Sequence, residues 1–384
     1  MIKKIGINSY QLFQLLRYTG LLATSILLPH LDYDLYSISV YETFLYITGL
    51  FTFFWVGGMM NQYLKFSEKQ DLENHTTNYF FILVFLSILT ISIISFIQFI
   101  SPIHKVNFIM INILLSTPFF IIEHFLLLKK SNQLLIGYGI LTFFTPILAV
   151  FISHDIDDLI TNIIILNSVK IIFGLVLFYK NNIRFATFFN IKVKNINLIL
   201  LSSFPFIGAI LASGSADYID GFLVKHFFTN QDFSIYRYGA KELPLVLILA
   251  NSLGASMIPL IHQNLSQGIL SLKESAGRLL HISFPIALLL MIFSQPLFSY
   301  FFTENFNGAV IVFQTYLLLI IPRLVFPQTI LQSLDGGKWI FISAITELAL
   351  NVVFSILLLH LFGLMGIALG TVIRSEERRV GKEC

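Results

Sequence analysis

Cysteine occurs once among 384 residues, at Cys384, so a disulfide or a dithiol redox pair has no second partner. Charge is scarce as well: Asp, Glu, Lys and Arg make up 12% of the chain, about half the share of a soluble domain. The glycine loops that cradle phosphates, the HExxH zinc motif and Cys/His metal spacings are all missing. The net charge of +3 is small, which argues against the clustered basic face that nucleic-acid binding requires. No catalytic constellation stands out, so the chain is not read as an enzyme, and neither a cofactor nor a metal is expected.

What the sequence has instead is apolar bulk. It is 56% hydrophobic, with 40 Phe and 15 Tyr, and its mean hydropathy is +0.81. The apolar stretches are continuous rather than periodic, and a helix needs roughly 20 such residues to cross the hydrocarbon of a bilayer. The reading is an all-α polytopic membrane protein. Eleven whole spans fall near 10–28, 37–60, 78–100, 107–128, 133–152, 159–179, 196–226, 235–262, 279–302, 308–333 and 339–361, and a twelfth, LMGIALGTVI, is cut short. The start, MIKKIGINSYQLFQLLRYTGLLATSILL, has a basic end and an apolar run without a small-residue cleavage site, so it reads as a retained anchor.

Lys and Arg resist translocation and therefore mark cytoplasmic loops. With the N-terminus inside, thirteen of them fall in cytoplasmic segments: Lys3, Lys4, Lys65, Lys69, Lys129, Lys130, Lys180, Arg184, Lys192, Lys194, Lys273, Arg278 and Lys338. The opposite loops hold Lys105 alone. The bias alternates through every loop and supports both the span count and a cytoplasmic N-terminus. The most basic loop follows the sixth span. It predicts an N-terminal lobe over 1–180, a linker over 181–195 and a C-terminal lobe over 196–373, six spans each with the last incomplete. The closing RSEERRVGKEC, residues 374–384, packs four cations and three carboxylates against a helix of about ten apolar residues, too short to cross. It looks like one reading frame of a sequencing-library adapter and is expected to carry no function.

Ionisable groups inside spans are functional candidates, because each costs about 2.5–3.5 kcal/mol at a helix centre. Six cations lie in or near spans: Arg17, Lys170, Lys225, Arg237, Lys241 and Arg323. The carboxylates available to them are Glu123, Asp217, Asp220, Glu242 and Glu347. Asp217 and Asp220 stand three apart and share a face of the seventh helix. Arg237 and Lys241 stand four apart and are expected to form a cationic ridge on the eighth, balanced either by Asp217 or Asp220 as a structural pair or by a diphosphate or other anion. Arg17 and Lys170 lie well inside the first and sixth spans, either as ligand contacts or as clamps to backbone carbonyls or to Glu123 or Glu347. Glu123 and His124 sit within about a turn and a half of Lys129, near the interface or at a coupling site. Arg323, between Pro322 and Pro327, marks a broken helix and a hinge, and Lys225 reaches outward by snorkelling.

The stretch YIDGFLVKHFFTNQDFSIYRYGAKELPLVLILANSLGASMIPLIHQ, and later LDGGKWIFISAITELALNVVFSILLLHLFGLMGIALGTVI, resemble the polysaccharide (O-antigen type) flippases of the multidrug/oligosaccharidyl-lipid/polysaccharide exporter superfamily. Shared are a buried Asp, a Tyr before a small-residue pair, a Pro at the end of the next helix, a Gly-Lys turn, an Asn-bearing helix and a Gly-x-x-Gly-x-Ala helix entry. The likeness covers most of residues 10–373. It departs after the first helix, where PHLDYDLYS stands in place of the family's Arg and Gly.

The resemblance implies two six-helix lobes around a central cavity that opens alternately to the two faces of the bacterial inner membrane. The cargo implied is an oligosaccharide on a polyprenyl diphosphate. Arg17, Lys170, Arg237 and Lys241 are then the substrate-binding candidates, and Asp217, Asp220, Glu123 and Glu347 the ion-coupling or pairing candidates. H+ or Na+ would be the coupling ion, membrane lipid the surroundings, and a surface-polysaccharide polymerase a candidate partner. Two alternatives stay open: a drug/cation antiporter of the same superfamily, which would want a carboxylate-dominated cavity, and a polysaccharide polymerase or ligase, which would want a large outward loop.

Overall fold

The computed structural model describes residues 9–31, 33–64, 72–100, 102–180, 193–241, 244–334 and 337–380; some side chains within these helices, Asp217 and 375–380 among them, are outside the description. Residues 181–192 of the expected linker, Glu242, the pairing assigned to Asp217, and the side chains of the tail beyond Arg374 therefore lie outside the described residues, while 193–195 of that linker are already helical. Among those described the chain is helical, with no strand.

Seventeen α-helices follow in order among the described residues. They are α1 (Ser9–His30), α2 (Leu35–Tyr63), α3 (Leu72–Ile100), α4 (Val106–Ser116), α5 (Ile121–Leu128), α6 (Asn132–Ile152), α7 (Ile156–Lys180), α8 (Val193–Phe227), α9 (Asn230–Gly239), α10 (Pro244–Gln263), α11 (Leu265–Ile292), α12 (Ser294–Phe302), α13 (Ala309–Leu317), α14 (Ile320–Arg323), α15 (Pro327–Ser333), α16 (Gly337–Phe362) and α17 (Leu364–Val380). Eight helical stretches are long and apolar enough to span a bilayer, Val106–Leu128 counting as one across its break. A polytopic all-α membrane protein is the result, as the composition requires.

Several expected spans are interrupted, each for a local reason. The fourth passes through a 3₁₀ turn at Thr117–Phe120, because Pro118 has no N–H to continue the α ladder. The single eighth span expected over 235–262 is replaced by two helices, α9 and α10. Pro244 starts α10, and a proline disfavours helical backbone in the residue before it. Arg237 therefore sits in the last turn of α9 and Lys241 beyond its end, so the ridge expected on one helix does not form as such. The ninth span starts earlier, as α11, and breaks at Phe293 before α12. The tenth is divided into α13, α14 and α15 around Pro322 and Pro327, where a break was expected.

The helix ends are chemically marked. Asp34 takes the Ser37 N–H at 2.8 Å at the head of α2, and the hydrogen bonds from Ser37 hold its carboxyl below the usual range. Thr229 and Asp232 make a reciprocal capping box on α9. Behind α5, Lys130 is left-handed (φ 56°). Ser131 N–H reaches Leu126 C=O and Lys130 N–H reaches Leu127 C=O, the pair of bonds that closes a Schellman end.

The chain divides into two compact units. Unit 1 contains residues 1–24 and 40–214, and unit 2 contains 25–39 and 215–384, so the division falls inside α8, at Gly214. Unit 1 is built on an aromatic core in which Phe13, Tyr63, Tyr79, Phe80, Phe125 and Phe178 are buried, with a second cluster around Phe44, Ile94, Ile109 and Ile160. Unit 2 has a smaller aliphatic core of Val246, Ala250, Ala287, Leu317, Ile320 and Leu324. Within it α16 and α17 form a tight hairpin turned by Gly363, whose φ of 59° suits glycine. A Cβ at Gly366 would lie 2.1 Å from the Leu358 carbonyl oxygen, and one at Gly370 2.7 Å from the Ser355 nitrogen. The GxxxG spacing thus lets two backbones touch, as small residues do between membrane helices.

Candidate functional site

Unit 1 holds a cavity of about 310 Å³ lined from α1, α2, α4, α5, α6 and α7. Arg17 and Lys170 both face it, and so does Glu123. Arg17 Nη1 donates to Glu123 Oε2 at 3.2 Å and Oε1 at 3.4 Å. The Glu123 side chain is 5% exposed and that of Arg17 is 25% exposed, so the guanidinium is held from one side and open to the cavity on the other. Its carbon also lies 5.7 Å from the centroid of the Phe13 ring and 5.6 Å from that of Tyr18, a cation–π setting. The break at Thr117–Phe120 turns the chain just before Glu123 and brings the carboxylate opposite α1. His124 Nδ1 is 3.6 Å from Glu123 Oε1 and 3.0 Å from the Phe120 carbonyl oxygen.

Lys170 differs from Arg17. It lies in the middle of α7 and lines the same cavity, yet no described residue gives it a hydrogen bond or an ion pair. Around it the wall mixes rings with hydroxyls and amides. Asn112 is buried, and its Oδ1 accepts no hydrogen bond; the buried Thr48 Oγ1 likewise makes none. Pro146 lines the wall from α6, and its missing N–H leaves the Thr142 carbonyl without its usual intrahelical donor.

Unit 2 gathers polar groups around Asp220, which is 1% exposed. Its Oδ2 accepts from Tyr316 OH at 3.0 Å, from Tyr236 OH at 3.3 Å and from Thr371 Oγ1. The two tyrosine hydroxyls are 2.8 Å apart, and Asn351 Nδ2 donates to Thr371 Oγ1 at 2.9 Å. Five helices, α8, α9, α13, α16 and α17, thereby converge on one carboxylate. The sequence had pointed to Asp220 but not to Tyr236, Tyr316, Asn351 or Thr371. Their signal was there to find: each is a polar group within an apolar run, placed where only a partner makes burial tolerable.

The remaining candidates are placed as follows. Lys241 Nζ is 2.5 Å from Ser25 Oγ and 3.7 Å from the centroid of the Tyr238 ring. Arg237 is half-buried in α9. Lys225 lies over the Phe233 ring at 4.8 Å. Glu347 is buried on α16. Pro322 and Arg323 lie in the short α14, and Pro327 opens α15. Arg17, Lys170 and Glu123 are thus brought together in unit 1, while Asp220, Arg237, Lys241 and Glu347 belong to unit 2.

The fold is that of the transporters of the multidrug/oligosaccharidyl-lipid/polysaccharide exporter superfamily. The structure of the lipid II flippase MurJ in an inward closed conformation superposes with a TM-score of 0.74 at 16% identity, over 95% of this chain and 84% of that one. An inward-facing multidrug resistance MATE family transporter gives 0.69 at 13% identity, over 96% and 92%. A superfamily transporter from Pyrococcus furiosus, described as having a binding pocket of reversed polarity, gives 0.67 at 14%, over 97% and 92%. No family model and no curated protein matches the sequence.

Proposed function

We propose that this chain is a transporter of the flippase kind, moving a polyprenyl-diphosphate-linked oligosaccharide of the O-antigen type from the cytoplasmic to the outer face of a bacterial inner membrane by alternating access. The observation that carries this reading is the cavity of unit 1, where Arg17 and Lys170 line a wall set in membrane-length helices against Glu123 alone. Two cations against one carboxylate select an anionic cargo. In that setting the charges must face ligand, water or each other, since lipid would reject them. Arg237 and Lys241 are the candidates for contacts to the diphosphate.

The test is transport by the purified full-length chain in lipid vesicles. The expected result is movement of a fluorescent polyprenyl-diphosphate glycan to the opposite leaflet, and no gradient-driven uptake of a cationic dye. Dye uptake without lipid movement would favour the second reading, a drug/cation antiporter. The specific observation behind that reading is Asp220, a buried carboxylate ringed by hydroxyls. A carboxylate that accepts from neutral hydroxyls suits H+ or Na+ better than a divalent ion, which asks for more anionic ligands. The same group serves either reading, as the coupling site of a flippase or of an antiporter.

The proposed orientation places the N-terminus and the loop 181–195 in the cytoplasm, supported by the thirteen-to-one cation bias. In a Cys384→Ser background, Asp157→Cys is expected to react with a membrane-impermeant thiol reagent added to intact cells, and Asn182→Cys only after the membrane is opened. Labelling of the second in intact cells would reject the orientation.

A further inference from the structure

We infer that the cavity of unit 1 takes a hydroxylated ring bearing a single negative charge, an acidic sugar of the uronic-acid kind, rather than the diphosphate of a lipid-linked substrate. The inference rests on the flippase reading only in naming the transported glycan as the source of that sugar.

The first argument is charge. Arg17 is already held by Glu123 at 3.2 Å, so the cation left for a ligand is Lys170, which no described residue pairs. The cavity as a whole carries one net positive charge from two cations and one carboxylate. A carboxylate brings it to neutrality. A diphosphate diester, with two charges, leaves one in surplus inside a poorly solvated wall, where uncompensated charge is costly.

The second argument is the pattern of neutral polar atoms. Asn112 Oδ1 and Thr48 Oγ1 are buried with no hydrogen-bond partner, and both residues line the cavity. One is an amide oxygen, which only accepts, and the other a hydroxyl, which donates and accepts. The Asn112 oxygen calls for a donor, and a phosphate ester or diphosphate at neutral pH has only acceptors to offer it, whereas the Thr48 hydroxyl is able to donate to either ligand. Sugar hydroxyls donate and accept. The Asn167 amide lies on the same wall as a further contact.

The third argument is shape. Phe120 lines the cavity and is exposed, and the negative face of an aromatic ring attracts the weakly positive C–H face of a pyranose. A volume of about 310 Å³ stands at the small end of the roughly 300–1,000 Å³ common for small-molecule sites. It suits a sugar ring, whereas a polyprenyl chain does not fit.

The experiment uses the full-length chain in nanodiscs, titrated with D-glucuronate, D-glucose, acetate and pyrophosphate, with saturation-transfer NMR as the readout because monosaccharide binding is weak. Glucuronate is expected to bind saturably, and at least tenfold more tightly than glucose, which lacks the charge, or acetate, which lacks the hydroxyls. Lys170→Met should erase the preference for glucuronate over glucose. Asn112→Leu, nearly isosteric, should weaken both sugars alike, and Thr48→Val should do so more mildly. Thermal melting of each variant shows whether a loss belongs to the site or to the fold. Pyrophosphate binding more tightly than glucuronate, or glucuronate binding untouched by Lys170→Met and Asn112→Leu in folded protein, overturns the inference. Lipid-linked glycan crossing vesicles without any glucuronate binding overturns the site and leaves the flippase reading standing. Glucuronate binding as described without lipid movement upholds the site and removes the flippase reading.

Discussion

Asp220→Asn is expected to reduce ion-coupled transport on the order of a hundredfold, equivalent to about 2.7 kcal/mol, with little loss of folded protein. The side chain accepts from Tyr236, Tyr316 and Thr371 through Oδ2, and the amide oxygen of Asn keeps an acceptor in the same place. The charge goes and the shape stays. A carboxylate that exchanges a proton or Na+ during the cycle cannot be replaced by an amide, since Asn neither ionises nor supplies the anionic ligand. Asp220→Ala should behave differently, because it leaves the Thr371 hydroxyl and one of the two paired tyrosine hydroxyls without an acceptor. Each buried orphan costs about 1–3 kcal/mol, so the folded amount itself should fall. Transport per inserted molecule, measured with and without an imposed H+ or Na+ gradient, separates the two effects. Full gradient-dependent transport by Asp220→Asn would remove the coupling role and leave Asp220 as a structural hub of unit 2.

The class of fold was legible because the bilayer dictates it: a chain this apolar and this poor in charge must satisfy its backbone within helices. Most helix centres followed, yet continuity did not. Pro118, Pro244 and Pro322 are visible in the sequence, but whether a proline bends a span or divides it depends on neighbours that resupply the lost hydrogen bonds. That is why α9 and α10 were read as one helix and why Arg237 and Lys241 were given a shared face. Arg17 and Glu123 were named, and their pairing was one of the open alternatives. Choosing it requires knowing that α1 and α5 lie side by side, which 106 residues of separation conceal. The hydroxyl ring around Asp220 was hidden for a related reason. Tyr, Thr and Asn are cheap enough in a span to be overlooked one at a time, and their meaning comes only from convergence.

Removing Glu123 should cost unit 1 a large share of its stability. In Glu123→Ala the Arg17 guanidinium stays in the cavity wall with its counter-ion gone, and breaking a buried pair by deleting one partner costs about 3–5 kcal/mol. Arg17 remains 25% exposed to the cavity, so the lower end of that range is expected, read as a lowered melting temperature and less membrane-inserted protein. Arg17→Lys should keep part of the function, because the charge survives while the planar guanidinium, whose Nη1 meets both Glu123 oxygens, gives way to a compact ammonium. The decisive variant is double: Arg17→Met with Glu123→Met. It removes the pair and refills the wall with apolar bulk, and such replacements are often neutral or stabilising. The melting temperature should return to near that of the parent protein. Transport of an anionic lipid-linked glycan should be weakened and not abolished, because the side of the guanidinium that faces the cavity is gone while Lys170 still carries its charge. Should the double variant keep full transport along with stability, the pair would be a clamp between α1 and α5, and Lys170 would be the cavity's sole cationic contact to cargo.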